Sequence, residues 1–520
     1  MIKTKSRALC AAACSALPSL ALASASNPGL DERISSAFQP TADAVSGFVF
    51  ASMDIGGYQV PWILFWLILV ALFCTVYFRF INIRGMAQGF RIIRGDYADP
   101  GHSGDTSHFQ ALATALSGTI GLGNIAGVAA AIALGGPGAT FWMILAAFVG
   151  MAAKFCECTL AVKYRRELPD GSVSGGPMYY LKMGIAAEYP RLAGLGSVLG
   201  GLFAILCVFG TVGSGNFFQV NQAYHQVLLI TGGDQSFLAG RAWLFGAFMA
   251  VMVGIVIIGG IKRIARVTDK LVPFMAILYV LACLVVILSN AAHVPSAIAT
   301  IFSGAFSPQG VAGGAVGVML VGFRRAAFSN ESGIGSAPIA HASVKTGEPL
   351  TEGLVALWEP FIDTIVICTM TALTIVITGV YASGSGVTGV ELTSSAFATV
   401  LPWFPEVLAM VVMLFAYSTM ISYAYYGTKA AAYLFGESRF VELSYKSFFL
   451  VMTCVGVTLD FSQLVNFADA IYFLMAVPNV IGLYLLAPVV KREMTSYFAR
   501  LNAGQIRSLR IAPEAPLASP

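Results

Sequence analysis

From Pro61 onward the chain runs in apolar stretches of about 20 residues, each long enough to cross a bilayer core as a helix and each closed by a short polar segment. About eleven spans follow: 61–80, 108–134, 138–163, 196–229, 241–260, 268–290, 310–343, 350–380, 404–435, 445–459 and 463–490. The pattern predicts an all-α polytopic membrane protein. Two spans depart from it. The second carries TALSGTIGLGNIAG from Thr114 to Gly127, and the seventh carries GFRRAAFSNESGIGSAPIAHA from Gly322 to Ala342. Glycine lowers helix propensity by about 1 kcal/mol relative to alanine, and Pro338 removes a backbone donor, so both segments are expected to unwind. Unwound backbone inside a membrane is tolerated only where it is buried in protein or lines a cavity. The two breaks hold corresponding positions in spans 2–6 and 7–11 and run through the membrane in opposite directions. Inverted repeats with a binding site between the broken helices have this layout.

Composition strengthens the membrane assignment: 57% of the 520 residues are hydrophobic and 11% charged, against roughly 25% charged in soluble domains. The net charge of +4 is sorted by membrane side, which leaves no support for a nucleic-acid partner. Arg79, Arg84, Arg91 and Arg94, then Lys163, Arg165 and Arg166, then Lys262, Arg263, Arg266 and Lys270, and finally Lys491 and Arg492 fall in alternate loops, whereas 291–309 and 381–403 hold no Lys or Arg. The positive-inside bias puts the N-terminus outside and the C-terminus in the cytoplasm of a bacterial inner membrane. Residues 1–26, with Lys3, Lys5 and Arg7 ahead of a short apolar stretch and small residues, read as a signal peptide, the alternative being an uncleaved amphipathic arm. The chain then divides into an external segment 27–60, the first span and its loop 61–107, a first repeat 108–290, a second repeat 310–490 and a cytoplasmic tail 491–520. The nine cysteines include no pair at metal spacing, so neither metal site nor disulfide framework is expected.

Polar residues at the breaks carry the chemistry. Ser117, Thr119 and Asn124 need partners in lipid, and a break frees carbonyls for a small cation and amides for a carboxylate, so this stretch reads as half of an ion and solute site. In the seventh span Ser329 and Asn330 are ligand candidates. Arg324 and Arg325 read as structural, either paired with Glu331 to lock the break or snorkelling to the surface. In the fourth span Gly215, Gln219 and Gln222 share a face, which means an interior cavity or an interhelical hydrogen-bond seam. In the ninth, Thr419 and Tyr423 stand four apart, and hydroxyl oxygens there suit a hard cation such as sodium, the alternative being back-bonding to their own helix. Asp363 lies in an apolar stretch and reads as a proton sensor or a support for a cation site, while Glu157 is expected to pair with Lys154 on its own helix. None of the five histidines stands in an H-E-x-x-H arrangement and no P-loop is present, so nothing enzymatic competes.

Four motifs in order, LSGTIGLGNIAGVAAAIALGGPGATFW, FRRAAFSNESGIGSAP, EPFIDTIVICTMTAL and FAYSTMISYAYYG, resemble the alanine/glycine:cation (sodium:alanine) symporter family over most of the chain. The resemblance implies a LeuT-type fold, two inverted five-helix repeats plus one N-terminal helix. It implies symport of a small neutral amino acid, alanine or glycine, driven by inward sodium movement, with no organic cofactor. A proton-coupled carrier, or a channel or receptor on the same fold, are the alternatives. By the same resemblance Thr119, Gly121, Gly123 and Asn124 surround the amino-acid carboxylate and Thr419 and Tyr423 line the pocket. The sodium site would be backbone near Ser117 and Ile120 with the hydroxyls of Ser418 and Thr419. Ser422-Tyr423 stands where the family is expected to carry Gly-Trp, which bears on the size of side chain the pocket accepts.

Overall fold

In the computed structural model, which describes residues 30–97, 101–169, 171–307, 314–382, 387–459 and 461–506, the apolar runs fold as helices. They are Trp62–Tyr77, Ala139–Lys163, Ala193–Val212 continued to Ile230, Ala242–Ile257, Gly260–Ser289, Gly314–Asn330, a run from Pro349 to Thr378, Phe404–Phe435, Arg439–Gly456, and Phe461–Leu474 followed by Ala476–Asn502. Six described helices are long and apolar enough to cross a membrane, seven with the broken second span. Of the other predicted spans, Trp62–Tyr77 and Ala242–Ile257 are shorter, the seventh is interrupted as its glycine pattern implies, and Arg439–Gly456 is long enough but carries Arg439, Glu442 and Lys446. Large apolar side chains such as Val76, Val198, Phe209, Val251 and Leu288 face outward, while Lys154, Glu157, Glu331, Glu352, Glu359, Asp363 and Asp469 are buried. This inversion of the soluble pattern is what a lipid solvent demands.

The second span starts at a capping box, in which Ser107 Oγ accepts from Gln110 N and Gln110 Oε1 accepts from Ser107 N. Its leading half, His108–Thr119, ends where Ile120 leaves helical geometry, and the chain resumes at Gly123 bent by 51°. The resumed helix opens on a wide turn, Gly127 N reaching back five residues to Leu122 O at 3.1 Å. The seventh span breaks after Asn330: Glu331, Gly333 and Gly335 take φ of 58°, 87° and 95° before Pro338–His341 resumes the helix. Two glycines there follow from the left-handed backbone, and Glu331 is the exception that needs a reason.

Several segments carry more structure than periodicity announced. The loops 291–309 and 381–403 contain the helices Val294–Ala305 and Gly389–Ala398. The tail is helical to Asn502, and Arg500 forks onto Glu348 with two contacts of 2.6 Å. Residues 507–520 and the leader 1–26 lie outside the described residues. The segment ahead of the first span forms a helix, Leu30–Val49, and a hairpin, Ser52–Ile55 with Tyr58–Pro61. Phe50, between them, sets its ring against Phe473.

Candidate functional site

At the first break the Asn124 side chain substitutes for the lost helix. Its Oδ1 accepts from Gly121 N at 3.0 Å, and its Nδ2 donates to Asp363 Oδ1 at 2.6 Å and to the Asp363 carbonyl at 3.0 Å. Asp363 Oδ2 also accepts from Ser329 Oγ at 2.8 Å and Thr364 Oγ1 at 2.6 Å. One buried carboxylate of the eighth span therefore joins the two broken spans. Residues 361–368, which carry it, are themselves wound as a wider π turn, a distortion that recurs at functional positions.

The ninth span is stitched along the leading half of the second. Ser422 Oγ donates to Thr114 O at 2.9 Å, Ser117 Oγ to Ser418 O at 2.7 Å, and Thr419 Oγ1 to Ser117 O at 3.0 Å. Ser418 Oγ turns back to Phe415 O at 3.0 Å. Two hydroxyls and the Ser117 and Phe415 carbonyls are thus gathered beside the break, with no charged side chain among them. Gly121 permits the approach, since a Cβ there would stand 2.6 Å from Thr419 Oγ1 and 3.2 Å from Gln219 Oε1. Gln219 Oε1 instead accepts from Leu122 N at 3.1 Å, satisfying a second amide freed by the break. Thr119 finds its partner on its own helix, bonding back to Ala115 O at 3.4 Å.

Tyr423 leads into the second break. Its hydroxyl bonds the Glu331 carboxylate and lies 3.0 Å from Tyr472 OH, and Ser336 Oγ bonds the other Glu331 oxygen. These bonds explain why a non-glycine residue is held at positive φ: the left-handed turn aims its carboxylate at the hydroxyls of Tyr423 and Ser336, which Tyr472 OH in turn bridges. Gly215 serves packing, because a Cβ would fall 1.9 Å from the Tyr423 ring. Gly215→Ala is expected to cut alanine uptake at least tenfold in membranes carrying normal amounts of protein, with overpacking of about 1–3 kcal/mol forcing Tyr423 off Glu331. Unaltered uptake would show that Tyr423 can move without loss.

Gly123 faces Phe328, 3.6 Å from where its Cβ would be, so it brings the two breaks within contact. Asn330 turns aside, donating to Thr364 Oγ1 at 3.2 Å and accepting from Ser332 N at 3.1 Å. Gln222 Oε1 accepts from Val390 N at 3.4 Å, a seam with the Gly389–Ala398 helix, whose Thr393 donates to Ile125 O at 3.2 Å. Two pairings differ from expectation. Arg324 and Arg325 meet Asp469 of the last span rather than Glu331. Lys154 Nζ stands 3.4 Å from Glu359, while Glu157 accepts from Asn479 at 2.5 Å. In both cases a partner on another span displaces the nearest acid in sequence.

Away from the breaks, the leading end of the second span is tied to the trailing end of the seventh. Asp105 N donates to Ser343 O at 2.8 Å and Lys345 N to Thr106 O at 2.9 Å. Arg165 spreads over the carbonyls of Ser103, Ala342, Val344 and Thr346. Glu352 is shared by two imidazoles, His108 Nδ1 at 2.6 Å and His341 Nδ1 at 2.7 Å.

Two spans broken at mid-length, joined to each other and flanked by hydroxyl-bearing helices, define the class. The solved structure described as the crystal structure of MhsT in complex with L-phenylalanine covers 74% of this chain and 90% of that chain with a TM-score of 0.51 at 15% identity, and the shared fold is LeuT-type. The profile of the sodium:alanine symporter family matches residues 46–510, and the chain belongs to that family. The "Sodium/alanine symporter AgcS" of Methanococcus maripaludis is 40% identical over 84% of this chain and 94% of its own length. The "Probable sodium/glutamine symporter GlnT" of Bacillus subtilis is 34% identical over 84% and 89%. The protein is a multi-pass membrane transporter coupling sodium to amino-acid symport.

Proposed function

We propose that the carried amino acid is small and neutral, alanine or glycine, and that it binds where the two breaks meet. The observation that carries this reading is the Asn124–Asp363–Ser329 joint: it places freed backbone of both broken spans around one point, beside the oxygens of Ser117, Ser418 and Thr419. In this reading Thr119, Gly121, Gly123, Asn124, Gly215, Gln219, Ser329, Asn330, Thr419 and Tyr423 form or frame the amino-acid site. Amides freed by the first break meet the carboxylate, as unpaired helix-end donors do for anions. Sodium is held by the Ser117 and Ile120 carbonyls with the hydroxyls of Ser418 and Thr419, to which the structure adds Phe415 O as a neighbour. Segments 108–290 and 310–490 act as inverted repeats that rock about this point, opening it alternately to each side. The protein works without organic cofactor and is not an enzyme.

The test is uptake in reconstituted vesicles with imposed sodium or proton gradients across a panel of small amino acids. Concentrative alanine or glycine uptake driven by sodium is expected. Uptake indifferent to sodium and steep in the proton gradient would make this a proton-coupled carrier, and equilibration without concentration would make it a channel. The proposed setting is a bacterial inner membrane, N-terminus outside and C-terminus in the cytoplasm. A cysteine introduced at the exposed position Ser395 should then react with impermeant reagent in whole cells depleted of outer membrane, and one at the exposed Arg263 or Arg266 only after permeabilisation. The reverse labelling would overturn the orientation.

A further inference from the structure

The Tyr423 ring is fitted between the two breaks. A Cβ on Gly118, in the leading half of the second span, would stand 3.4 Å from its Cε2, and one on Gly215 of the fourth span would overlap the ring at 1.9 Å from Cδ1. Two glycines on different spans thus clear the space that the ring fills. Its far end is tied as well: the hydroxyl bonds the Glu331 carboxylate and lies 3.0 Å from Tyr472 OH. The other Glu331 oxygen takes Ser336 Oγ, which is 2.7 Å from the same Tyr472 hydroxyl, so the carboxylate and three hydroxyls close a circuit. All of these residues are buried. Tyr472 carries the wall onward, its ring 5.9 Å from that of Tyr423 and 6.2 Å from that of Phe328, which packs against Gly123 of the first break.

The arrangement costs more than packing alone requires. Glu331 holds a left-handed φ of 58° and keeps a carboxylate out of water, and each is unfavourable by itself. Filling the space against Tyr423 needs neither. What a carboxylate adds over an amide or an apolar neighbour is a charge-assisted bond, roughly twice as strong as a neutral one, aimed at one point. A tyrosine has only two side-chain torsions, so fixing its hydroxyl fixes the ring.

We propose that Glu331, with Tyr472 and Ser336 behind it, is a specificity-setting positioning residue: it locks Tyr423 as a rigid wall of the amino-acid site, so that alanine fits and longer side chains do not. The inference rests on the reading of Tyr423 as part of that site. Glu331 itself acts through Tyr423 and touches no substrate. A longer apolar side chain has to displace the ring, and the ring, whose flanks already fill the space left by Gly118 and Gly215, can move only by giving up its bond to the carboxylate. In a pocket that cannot yield, one extra methylene changes preference by about 10- to 200-fold. A wall free to yield discriminates less.

The test compares substrates in reconstituted vesicles: kcat/KM for L-2-aminobutyrate and for L-valine, which lengthen or branch the side chain of alanine, each divided by kcat/KM for alanine. Tyr423→Phe removes the bond and keeps the ring, and it should raise both ratios at least tenfold. Glu331→Gln leaves a neutral acceptor and should raise them at least threefold. The double variant should go no further than Tyr423→Phe, because both changes act through one bond. Tyr472→Phe, which leaves both breaks untouched, should move the ratios in the same direction and carries the test if Glu331→Gln fails to insert. A purely structural role for Glu331 would lower uptake of all three substrates and leave the ratios unchanged, which overturns the proposal. Tyr423→Ala separates the two readings. If it raises the ratios while Tyr423→Phe and Glu331→Gln do not, Tyr423 lines the site and the lock is refuted; if it too leaves them unchanged, Tyr423 is not in the site and the inference falls with that reading.

Discussion

Asp363→Asn is expected to lower alanine uptake at subsaturating substrate by about 100-fold while leaving the protein inserted in the membrane. The carboxylate accepts from Asn124, Ser329 and Thr364 at 2.6 to 2.8 Å, all fully or nearly fully buried. Hydrogen bonds to a charged acceptor contribute about 1.5–3 kcal/mol each, and a buried donor left without a partner carries its own desolvation cost. Asparagine keeps the shape but offers one oxygen in place of two and points an N–H group at one of the three donors. Losing about 3 kcal/mol at a joint that exists only when both breaks are correctly placed corresponds to about 100-fold in affinity. Ser329→Ala removes one donor and leaves no orphan on Asp363, so a loss of about tenfold is expected from it. The measurement is initial-rate uptake in vesicles normalised to inserted protein. If Asp363→Asn stays within threefold of the parent, the carboxylate is not the joint between the spans.

That role could not be read from the chain. The breaks themselves were legible, because glycine, proline and small polar residues inside apolar runs have a local meaning. Ser117 and Asn124 stand out on that basis, Thr419 by its place on a polar face of the ninth span and Gly121 by the family resemblance, and the structure brings all four to one place. Asp363 stayed ambiguous because its meaning depends on Asn124 and Ser329, which lie 239 and 34 positions away. Periodicity assigns a residue to a face of its helix and says nothing about which helix that face meets. Lys154 and Arg325 show the same limit: each has an acid nearby in sequence, yet each is paired with a carboxylate from a different span. The helices Val294–Ala305 and Gly389–Ala398 were hidden for another reason. They are short and lack the long apolar run that marks a span, although Thr393 reaches the first break.

The coupling ion gives the second large expected effect. Ser418→Ala/Thr419→Val should raise the sodium concentration for half-maximal alanine uptake at least tenfold, a loss of about 1.4 kcal/mol or more in sodium binding. Valine preserves the bulk that fills the space against Gly121, so the change is chiefly the loss of two oxygens. Those oxygens sit against carbonyls already, Thr419 on Ser117 O and Ser418 on Phe415 O. A sodium ion entering there takes the place of the hydroxyl protons between the oxygen pairs, which then all turn lone pairs toward it. Removing half the set leaves the ion under-coordinated where lost hydration is costly. Ser117 and Asn124 lie on either side of one break, so in the proposed assignment sodium and amino acid share a structural element, and linkage then requires the loss to appear in both. At fixed sodium the variant should bind alanine more weakly, and raising sodium should restore most of the affinity. A pocket defect would behave differently: alanine affinity would fall by the same factor at every sodium concentration. Unchanged sodium dependence in the double variant would remove Ser418 and Thr419 from the ion site, and a shift to proton-driven uptake would show that the oxygens serve another cation.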